Sequence, residues 1–434
     1  LIRGPSSLSP STGGGVAGDG GGETGATGVA VQLGVGTRGG TEIAAKTISA
    51  HLELNPSWAA FKNDFSNAFN CCARRRMVEQ LLKSPFAHFE PAFRLFYEHA
   101  GALWFEGERL AADSCEGAQQ GDPLGPFIFA LAFHATLQQV AAEFPDCVLV
   151  SYLDDVTVLG PPARAYAALQ RLQHLALEQC DLASDMSKCG VYSPEASDEE
   201  LDFIPAEVEG SPHYCNSKGE HVGRLQGMVF VGAPVGNDDW VKGVLALIFE
   251  AATKRLPALA RMRDSGRLQT AAQARMLLLR FCANPRVAFW LRVVKPKVVE
   301  EAAAAHDAAI AECLRETACY HGPLDGARWQ RAVRQAQLPV RLGGLGLSSA
   351  LALAAPSWCG SWALCWARMR ALFPALTAVD LPSSTLPSLV ALQEAHAALV
   401  AQRDEVDTAF KVIDAAAGAI PTPRPGRRVP ADLA

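Results

Sequence analysis

The fold is decided by an eight-residue stretch at positions 151–158, Ser-Tyr-Leu-Asp-Asp-Val-Thr-Val, in which two adjacent aspartates separate two apolar runs. Residues 147–153 and 156–159 are rich in β-branched side chains, so they predict two strands with a tight hairpin at Asp154 and Asp155. An aspartate pair in a turn is most often simply solvated. Here the flanking strands are expected to be buried, so the two carboxylates repel each other. A bound Mg²⁺ ion, which prefers oxygen ligands, commonly offsets such repulsion.

Asp64 is a second site candidate, because it follows a short predicted strand at residues 58–61 and precedes a predicted helix at residues 66–82. Ser66 is the expected N-cap of that helix. A carboxylate at a strand end beside a helix N-terminus offers a ligand for a metal and backbone N–H groups for a phosphate. An ordinary Asp or Ser cap is the alternative interpretation.

The elements around these acids alternate between strands and helices. Apolar residues at helical spacing predict helices over residues 41–54, 126–142 and 163–179, and residues 188–192 are typical of a strand. The order strand, helix, hairpin, helix, strand approaches a split βαβ arrangement, an α+β fold with helices on an antiparallel sheet. Adjacent central strands would then bring Asp64 beside the aspartate pair.

A glycine- and proline-rich loop lies between the two acidic sites, at residues 117–126, and it reads Gly-Ala-Gln-Gln-Gly-Asp-Pro-Leu-Gly-Pro. Its glycines allow the backbone to approach a ligand, and Gln120 offers an amide that can hydrogen-bond a base or a sugar. The simpler interpretation is a loop that leads into a buried helix.

Taken together, these stretches resemble the motifs of reverse transcriptases. Residues 64–69 (Asp-Phe-Ser-Asn-Ala-Phe) are similar to motif A, residues 120–124 (Gln-Gly-Asp-Pro-Leu) to motif B and residues 152–155 (Tyr-Leu-Asp-Asp) to motif C, in the family's order. Residues 185–189 resemble motif D, and residues 227–234 are similar to the primer-grip hairpin. The amino-acid sequence of motif B is closest to that of the non-LTR retrotransposon enzymes.

The resemblance implies a palm domain with RNA-directed DNA polymerase activity, a nucleotidyl transfer that uses two Mg²⁺ ions, with Mn²⁺ as a substitute. Asp64 and Asp154 would hold the ions, Asp155 would be a nearby ligand, and the Phe65 carbonyl oxygen would complete the shell. Two metals about 3.5–4 Å apart would activate a primer 3′-hydroxyl and stabilise the leaving pyrophosphate oxygen. An RNA template, a DNA primer and dNTPs are the implied partners.

The resemblance also implies the substrate contacts. Asn67 and Ala68 would present backbone N–H groups to the nucleotide triphosphate, and Phe69 falls where the family keeps an aromatic residue that excludes a ribose 2′-hydroxyl. Lys188 would lie near the leaving pyrophosphate, with a solvated surface lysine as the alternative. The templating base pair would be lined by Gln120 and Gly121, and the primer grip would comprise Gly227, Met228, Val229 and Gly232.

Two departures from the family pattern bear on this interpretation. Asn63 is polar where the family usually has an apolar strand residue. Almost nothing before Val31 resembles the fingers, which in the family carry basic residues that clamp the triphosphate. The chain begins at Leu1 and not at a methionine, so we expect it to be a fragment. Without the basic residues of the fingers, we expect it to polymerise inefficiently by itself.

Composition and the resemblance together imply five parts of the chain. Residues 1–30 are dominated by Gly, Ser and Thr and are expected to be disordered, since they cannot bury enough apolar surface. Residues 343–366, which are rich in Trp and Cys, are expected to be core. The other expected divisions are a palm with residual fingers and the primer-grip hairpin (31–240), a helical basic thumb (241–335), a helical C-terminal extension (336–417) and a disordered tail (418–434).

The charge is distributed unevenly. The chain has a formal net charge of −6 and a pI near 6.0, which is not the general basic signature of a nucleic-acid-binding protein. Between Lys242 and Lys297, however, twelve Lys or Arg residues face only two acids, Glu250 and Asp264. This basic segment is where a template–primer duplex would need phosphate contacts. A solvated basic face is the alternative.

Other features narrow the class of protein. The twelve cysteines include no CxxC pair, which favours reduced thiols over a disulfide framework. His213, Cys215 and His221 match no zinc spacing. No apolar run reaches the roughly 18 residues that span a bilayer, so no membrane partner is expected. A retroelement enzyme would be intracellular and act in the nucleus.

Two other functions remain as alternatives. One is a catalytically silent remnant that keeps the fold and binds nucleic acid. The other is an oxidoreductase, because Gly34 to Gly39 match GxGxxG and Glu53 follows at a suitable distance. No strand is predicted before these glycines and Glu53 falls at a predicted helix end, so the match is interpreted as a coincidence.

Overall fold

The computed structural model describes residues 29–119, 121–262, 268–318 and 326–417. The predictions for Gln120, for residues 1–28 and for the tail at 418–434 lie outside these residues. The predicted disorder of residues 1–30 is wrong at its end, because a strand begins at Val29.

The described residues contain nine strands. Five of them form one sheet in the order β1-β5-β6-β2-β7, and the others form the hairpins β3-β4 and β8-β9. The strands are β1 (Val29–Gln32), β2 (Ala59–Asn63), β3 (Gly101–Phe105), β4 (Glu108–Ser114), β5 (Val148–Tyr152), β6 (Asp155–Gly160), β7 (Gly190–Tyr192), β8 (Gly227–Phe230) and β9 (Ala233–Gly236).

Helices make up most of the rest of the described chain, giving a mixed α/β protein. They are α1 (Gly40–Leu54), α2 (Ala68–Cys71), α3 (Arg74–Lys83), α4 (Glu90–Tyr97), α5 (Gly125–Glu143), α6 (Pro162–Cys180), α7 (Asp198–Leu201), α8 (Asp238–Thr253), α9 (Leu256–Ala260), α10 (Leu268–Leu278), α11 (Trp290–Val293), α12 (Pro296–Thr317), α13 (Ala327–Gln337), α14 (Ala350–Leu372) and α15 (Pro387–Ala417). Among the described helices, none is long and apolar enough to cross a bilayer.

The longest predicted elements are confirmed. The helices expected at 41–54, 126–142 and 163–179 are α1, α5 and α6, each within two residues of its expected ends. The predicted hairpin is the antiparallel pair β5 and β6. The strand expected at 188–192 begins two residues later, because Met186–Lys188 forms a 3-10 turn.

The single helix predicted at 66–82 is wrong. Asn67 has a left-handed backbone (φ 48°), so α2 begins at Ala68, and Ser66 is not its N-cap. The helix then breaks at Cys72 and Ala73, whose backbone groups bond elsewhere: the Ala73 N–H donates to the Cys180 carbonyl (2.9 Å) and the Cys72 carbonyl accepts from the Gly117 N–H (3.1 Å). Tertiary hydrogen bonds therefore override a continuous helical pattern.

Both faces of the sheet are covered, which buries the strands. On one face α5 and α6 contribute Phe129, Phe133 and Leu169 to a core with Phe61 of β2. On the other, α1 packs with α14 and α15. The Trp- and Cys-rich segment is confirmed as core at Trp358, Trp362 and Cys365, which are at most 2% exposed. Thus the C-terminal helices help to cover the sheet that carries the acidic motifs.

Candidate active site

The sheet register brings Asp64 to the aspartate pair. Strands β2 and β6 are antiparallel neighbours, and Asn63 at the end of β2 pairs with Val156. Extending this register by one residue places Asp64 opposite Asp155. Residues about ninety positions apart in the sequence therefore meet at one end of the sheet, as the split βαβ order predicts.

The hairpin turn is displaced by one residue from its expected position. Tyr152 pairs with Asp155, so the two turn residues are Leu153 and Asp154, and Asp155 is the first residue of β6. Leu153 has a φ of 57°, in the left-handed region that a residue with a Cβ rarely adopts. Asp154 thus projects from the turn itself, whereas Asp155 belongs to a strand and its direction is set by the pleat.

The electrostatic environment disfavours the ionised carboxylates. Burial raises the pKa of Asp154, and the charge of Asp64 adds to this rise. Burial also raises the pKa of Asp155, the charge of Asp154 adds to it, and Lys62 partly opposes it. A raised carboxyl pKa means that the anion is less stable here than in water. These groups would therefore gain from a neighbouring cation.

The donor set suits a hard divalent cation. The side chains offer only carboxylate oxygens, the ligand type that Mg²⁺ prefers. Within the described residues, however, no three His, Cys, Asp or Glu side chains converge as a preformed metal centre. Mutual repulsion favours separated carboxylates. The composition and charge of the site therefore fit a hard divalent cation such as Mg²⁺ or Mn²⁺.

Asn63 lies at the end of β2 and is polar where the family usually has an apolar residue. It is fully buried and held by its neighbours. Its side-chain oxygen accepts hydrogen bonds from Gln173 Nε2 (3.0 Å) and Ser184 Oγ (2.9 Å). Its side-chain nitrogen has no partner among the described residues. The amide ties β2 to α6 and to the turn before β7, so the strand end that leads to Asp64 is anchored from two sides.

The loop at residues 117–126, called the motif B loop because it contains the predicted motif B, packs directly on the helix that follows Asp64. The Ala118 N–H donates to the Phe69 carbonyl (2.7 Å). Gly117 has a positive φ of 61°, and a Cβ there would collide with the Asn70 backbone. Phe69 is half-buried and stacks on Phe129 of α5, with ring centroids 4.6 Å apart. The loop, α2 and the start of α5 therefore form one wall of the site.

The other predicted nucleotide contacts lie on the same wall. Asn67 is exposed, whereas the Ala68 side chain is buried, so only the backbone of Ala68 remains as a contact. The Phe65 ring is buried and meets Phe133 edge-on, with centroids 5.4 Å apart. Gly121 has a φ of 96° and open space where a Cβ would be, so conformation and not crowding requires glycine there.

Two residues that support the motif B loop were not predicted. The Tyr97 hydroxyl contacts the Asp122 carboxylate and accepts a hydrogen bond from the Gln119 N–H (3.2 Å). Burial, reinforced by Asp122, raises the pKa of Tyr97 to about 12, so it stays a phenol. Arg74 donates to the Gly117 carbonyl (3.0 Å). In the sequence both residues look like ordinary helix positions, and no motif marks them.

The predicted primer-grip segment is a hairpin beside the acidic end of the sheet. It turns through Val231 (φ 48°) and Gly232 (φ 80°), and the Gly232 carbonyl accepts from Trp290 Nε1 (3.1 Å). Met228 is buried and packs so closely on Gly190 of β7 that a Cβ at Gly190 would collide with it. The hairpin is therefore held between the sheet and the helical region after it, with Gly227 and Val229 on β8.

Lys188 lies close to Asp64 but is already paired. Its Nζ is 3.1 Å from Asp185 Oδ2, and this hydrogen bond raises its pKa, with Asp64 adding a smaller effect. The Asp185 N–H donates to the Asp64 carbonyl (2.9 Å). The predicted motif D turn is thus attached to the motif A strand, and Lys188 is exposed at its surface.

The segment from Gly34 to Gly39, which matches the dinucleotide-binding pattern GxGxxG, has a structural explanation. Contrary to expectation, a strand does precede it, since β1 ends at Gln32 and α1 begins at Gly40. Glu53, however, lies in the last turn of α1, and its carboxylate accepts from the Ser388 N–H (3.1 Å) and Oγ (2.7 Å). It therefore caps α15 and is not placed as a ribose ligand.

The basic segment keeps cations that have no acidic partner. Four of its described side chains form ion pairs: Lys242 with Asp239, Arg292 with Glu42, Lys295 with Asp238 and Lys297 with Glu394. Among the described residues, Lys254, Arg255 and Arg261 form no ion pair, and all three are exposed. They form a basic surface at the end of α8 and along α9.

Comparison with known proteins shows a distant similarity to a retrotransposon protein. No protein-family model matches it. A stretch of 138 residues, 30% of this chain, is 33% identical to the Retrotransposable element SLACS 132 kDa protein of Trypanosoma brucei gambiense and covers 11% of that protein. The matched stretch is thus a small part of the relative's length. The chain is a mixed α/β protein with distant similarity to a retrotransposon protein.

Solved telomerase structures give weak structural matches. A telomerase from Candida albicans in complex with a TWJ fragment of telomeric RNA has a TM-score of 0.31 at 11% identity, over 82% of this chain and 54% of that one. An apo telomerase from Candida tropicalis has a TM-score of 0.34 at 10% identity, over 81% and 56%. These scores are too low to establish a shared fold.

Proposed function

We propose that this chain is the RNA-directed DNA polymerase domain of a retroelement and that it transfers nucleotides onto a primer 3′-hydroxyl. The observation that carries the proposal is the pairing of β2 with β6, which ends at Asn63 and Val156 and leads on to Asp64 and Asp155, whose charges influence each other. A purely structural aspartate pair in a turn gives no reason for a third acidic residue, from a distant strand, to lie half-buried at the same end of the sheet. The similarity to a retrotransposon protein supports the same class.

Asp64, Asp154 and Asp155, with the Phe65 carbonyl oxygen, would hold Mg²⁺ or Mn²⁺. When bound, these cations supply Lewis acidity to the reacting oxygens of a phosphoryl transfer. The chain's own residues position the substrates. The Phe69 ring, fixed by Phe129, would limit the space at the sugar of the incoming dNTP. The RNA template and DNA primer would run between the Gly121 loop and the β8-β9 hairpin towards the basic surface.

A catalytically silent remnant that binds nucleic acid is the second candidate. The observation that favours it is that no three acidic, His or Cys side chains converge as a metal centre in the described residues. A polymerase closes its carboxylates around cations, whereas a remnant has no need to. Both candidates predict duplex binding, and only the first predicts extension.

Primer extension on an RNA template with Mg²⁺ and four dNTPs separates the two candidates. We expect extension by the chain with upstream fingers supplied, and a loss of at least about a hundredfold in Asp154→Asn or Asp155→Asn, since each removes a charge from the site. Asp146→Asn is the matched control, because Asp146 lies just before β5 and pairs with Arg164 at the surface. Full activity in either site variant contradicts the metal assignment. Duplex binding without extension, in the protein that has fingers supplied and all three aspartates intact, identifies a remnant.

A further inference from the structure

Leu153 has a backbone conformation that something must hold. Its φ of 57° is disfavoured for a residue with a Cβ, and it immediately precedes Asp154 in the hairpin turn. A strained residue persists only where its surroundings fix it. Leu153 and Asp154 are the two residues of the turn between Tyr152 and Asp155, so contacts that hold Leu153 also restrict where the Asp154 carboxylate can lie.

The side chain of Gln32 makes those contacts. Its Oε1 accepts hydrogen bonds from the Leu153 N–H (2.7 Å) and the Gly34 N–H (2.9 Å). Its Nε2 donates to the Leu153 carbonyl (3.1 Å) and to Ser151 Oγ (2.9 Å). One amide thus holds both polar groups of the strained residue, and its two donors and two acceptor positions are all used. Ser151 Oγ donates to the same Leu153 carbonyl (2.9 Å).

The frame that carries Gln32 is itself fixed. Strand β1 is parallel to β5 with Gln32 opposite Ser151, and the Leu33 N–H donates to the Ser151 carbonyl (2.7 Å). The turn packs on Gly34, where a Cβ would lie 2.5 Å from Leu153 Cγ and 2.7 Å from its nitrogen. Only glycine at position 34 lets the turn approach β1 closely enough for the Gln32 amide to reach it.

We propose that Gln32 is a positioning residue that holds the backbone of Leu153 on both sides of its Cα and thereby directs the Asp154 carboxylate into the site. The backbone pairing of β1 with β5 already attaches the strand. The polar amide is needed because it supplies an acceptor and a donor at once to the two peptide groups on either side of Leu153. The consequence for metal binding rests on the proposed function, whereas the hold on the turn does not. Outer-shell partners that bond a metal ligand directly typically change metal affinity about 10–100-fold, and we expect the lower end of this range for Gln32 because it acts through the backbone.

Gln32→Met tests the proposal, because methionine keeps the length and removes every hydrogen bond. We expect the Leu153 amide to exchange with deuterium at least about tenfold faster, since its acceptor is lost. We expect the Mn²⁺ dissociation constant, measured by calorimetry, to rise about tenfold, or roughly 1.4 kcal/mol. Gln32→Glu, which keeps the acceptors and loses the donors, should fall between wild type and Gln32→Met and serves if the latter fails to fold.

A matched control and a rescue distinguish positioning from general stabilisation. Gln393 also donates two side-chain hydrogen bonds to carbonyls, those of Leu381 (2.7 Å) and Ser384 (3.1 Å), but on α15. Gln393→Met should leave hairpin exchange and Mn²⁺ affinity unchanged. Leu153→Gly, added to Gln32→Met, should restore part of the affinity, because glycine adopts positive φ without strain.

The outcomes decide the two proposals separately. Unchanged hairpin exchange in Gln32→Met, or an equal effect of Gln393→Met on the hairpin, overturns the positioning role. If the unaltered protein binds no Mn²⁺ while Gln32→Met still loosens the hairpin, the proposed polymerase site is contradicted and the hold of Gln32 on the turn stands.

Discussion

Phe69 is the residue on which sugar selection depends in the proposed polymerase. Its ring is half-buried, and the stack on Phe129 fixes one face while the Ala118 N–H holds its carbonyl. A side chain fixed in this way can exclude a hydroxyl by its bulk, because it cannot move aside. The steric role follows from the rigidity of the wall and not from any polar contact.

Phe69→Ala should therefore admit ribonucleotides. We expect the ratio of kcat/KM for dNTP to that for rNTP to fall by about tenfold or more, since the loss of bulk removes a clash of modest energy. Single-nucleotide incorporation with dCTP and CTP measures the ratio. Phe203→Ala is the control, because it removes an exposed aromatic ring that packs on Tyr166 of α6 and not on this wall. An unchanged ratio in Phe69→Ala would show that another group selects the sugar.

At the scale of single residues, motifs mark the three candidate acids in the sequence, but they do not predict the side-chain contacts that support them. Asp64, Asp154 and Asp155 stand in recognisable motifs, whereas Gln32, Tyr97 and Arg74 act through backbone atoms of distant segments. A side chain that bonds a carbonyl leaves no spacing pattern, because any backbone can accept it. The supports therefore become visible only when the strands and loops are placed beside each other.

Among the secondary-structure elements, helices α1, α5 and α6 could be predicted from the sequence, whereas the region of α2 and α3 could not. Long apolar helices and buried hairpin strands have a period that a sequence reveals. The hairpin β3-β4 was not predicted, since most of its residues are exposed and carry no alternation of burial. The break between α2 and α3 depends on bonds to Cys180 and Gly117, which no local pattern encodes.

Helices α1 and α14 meet at a buried lysine. Lys46 is 2% exposed, donates to the Arg292 carbonyl (2.5 Å) and has its Nζ 4.6 Å from the Trp358 ring centroid. Burial lowers its pKa from 10.5 to about 8, so the folded protein binds this proton less tightly than the unfolded chain. The charged lysine therefore destabilises the fold below pH 8, and the penalty fades as the pH rises towards 10.5.

Lys46→Met should raise the free energy of unfolding at pH 7 by about 1–2 kcal/mol. The shift in pKa corresponds to a penalty of about 3 kcal/mol, from which the lost hydrogen bond and ring contact must be subtracted. The gain should shrink as the pH approaches 10, which denaturant unfolding of both proteins at pH 7 and 9.5 would measure. Lys297→Met, at an exposed ion pair, should show no such pH dependence. A gain that is constant with pH would contradict the role of the Lys46 proton.

The whole molecule separates its charge in space. Its net charge is −6, but the acids are concentrated elsewhere, notably at residues 195–209, and the basic segment follows the β8-β9 hairpin directly. Overall composition therefore argues against a nucleic-acid partner, while the local distribution supports one. The described ion pairs sharpen the distinction further, because they neutralise some of these cations and leave others uncompensated.

If the uncompensated cations contact phosphates, the salt dependence of duplex binding should report them. Replacing Lys254, Arg255 and Arg261 by Gln should reduce the slope of log K against log salt concentration by about 2–3, since each phosphate contact contributes about 0.9. The matched control replaces Lys242, Lys295 and Lys297 by Gln, which changes the net charge equally but removes cations already paired with Asp239, Asp238 and Glu394. Because counterion release depends on contacts and not on net charge, the control slope should change by less than about 1. Equal slopes in the two triple variants would mean that the salt dependence of duplex binding reflects only the total charge. The basic surface on α8 and α9 would then not be the binding site of the duplex.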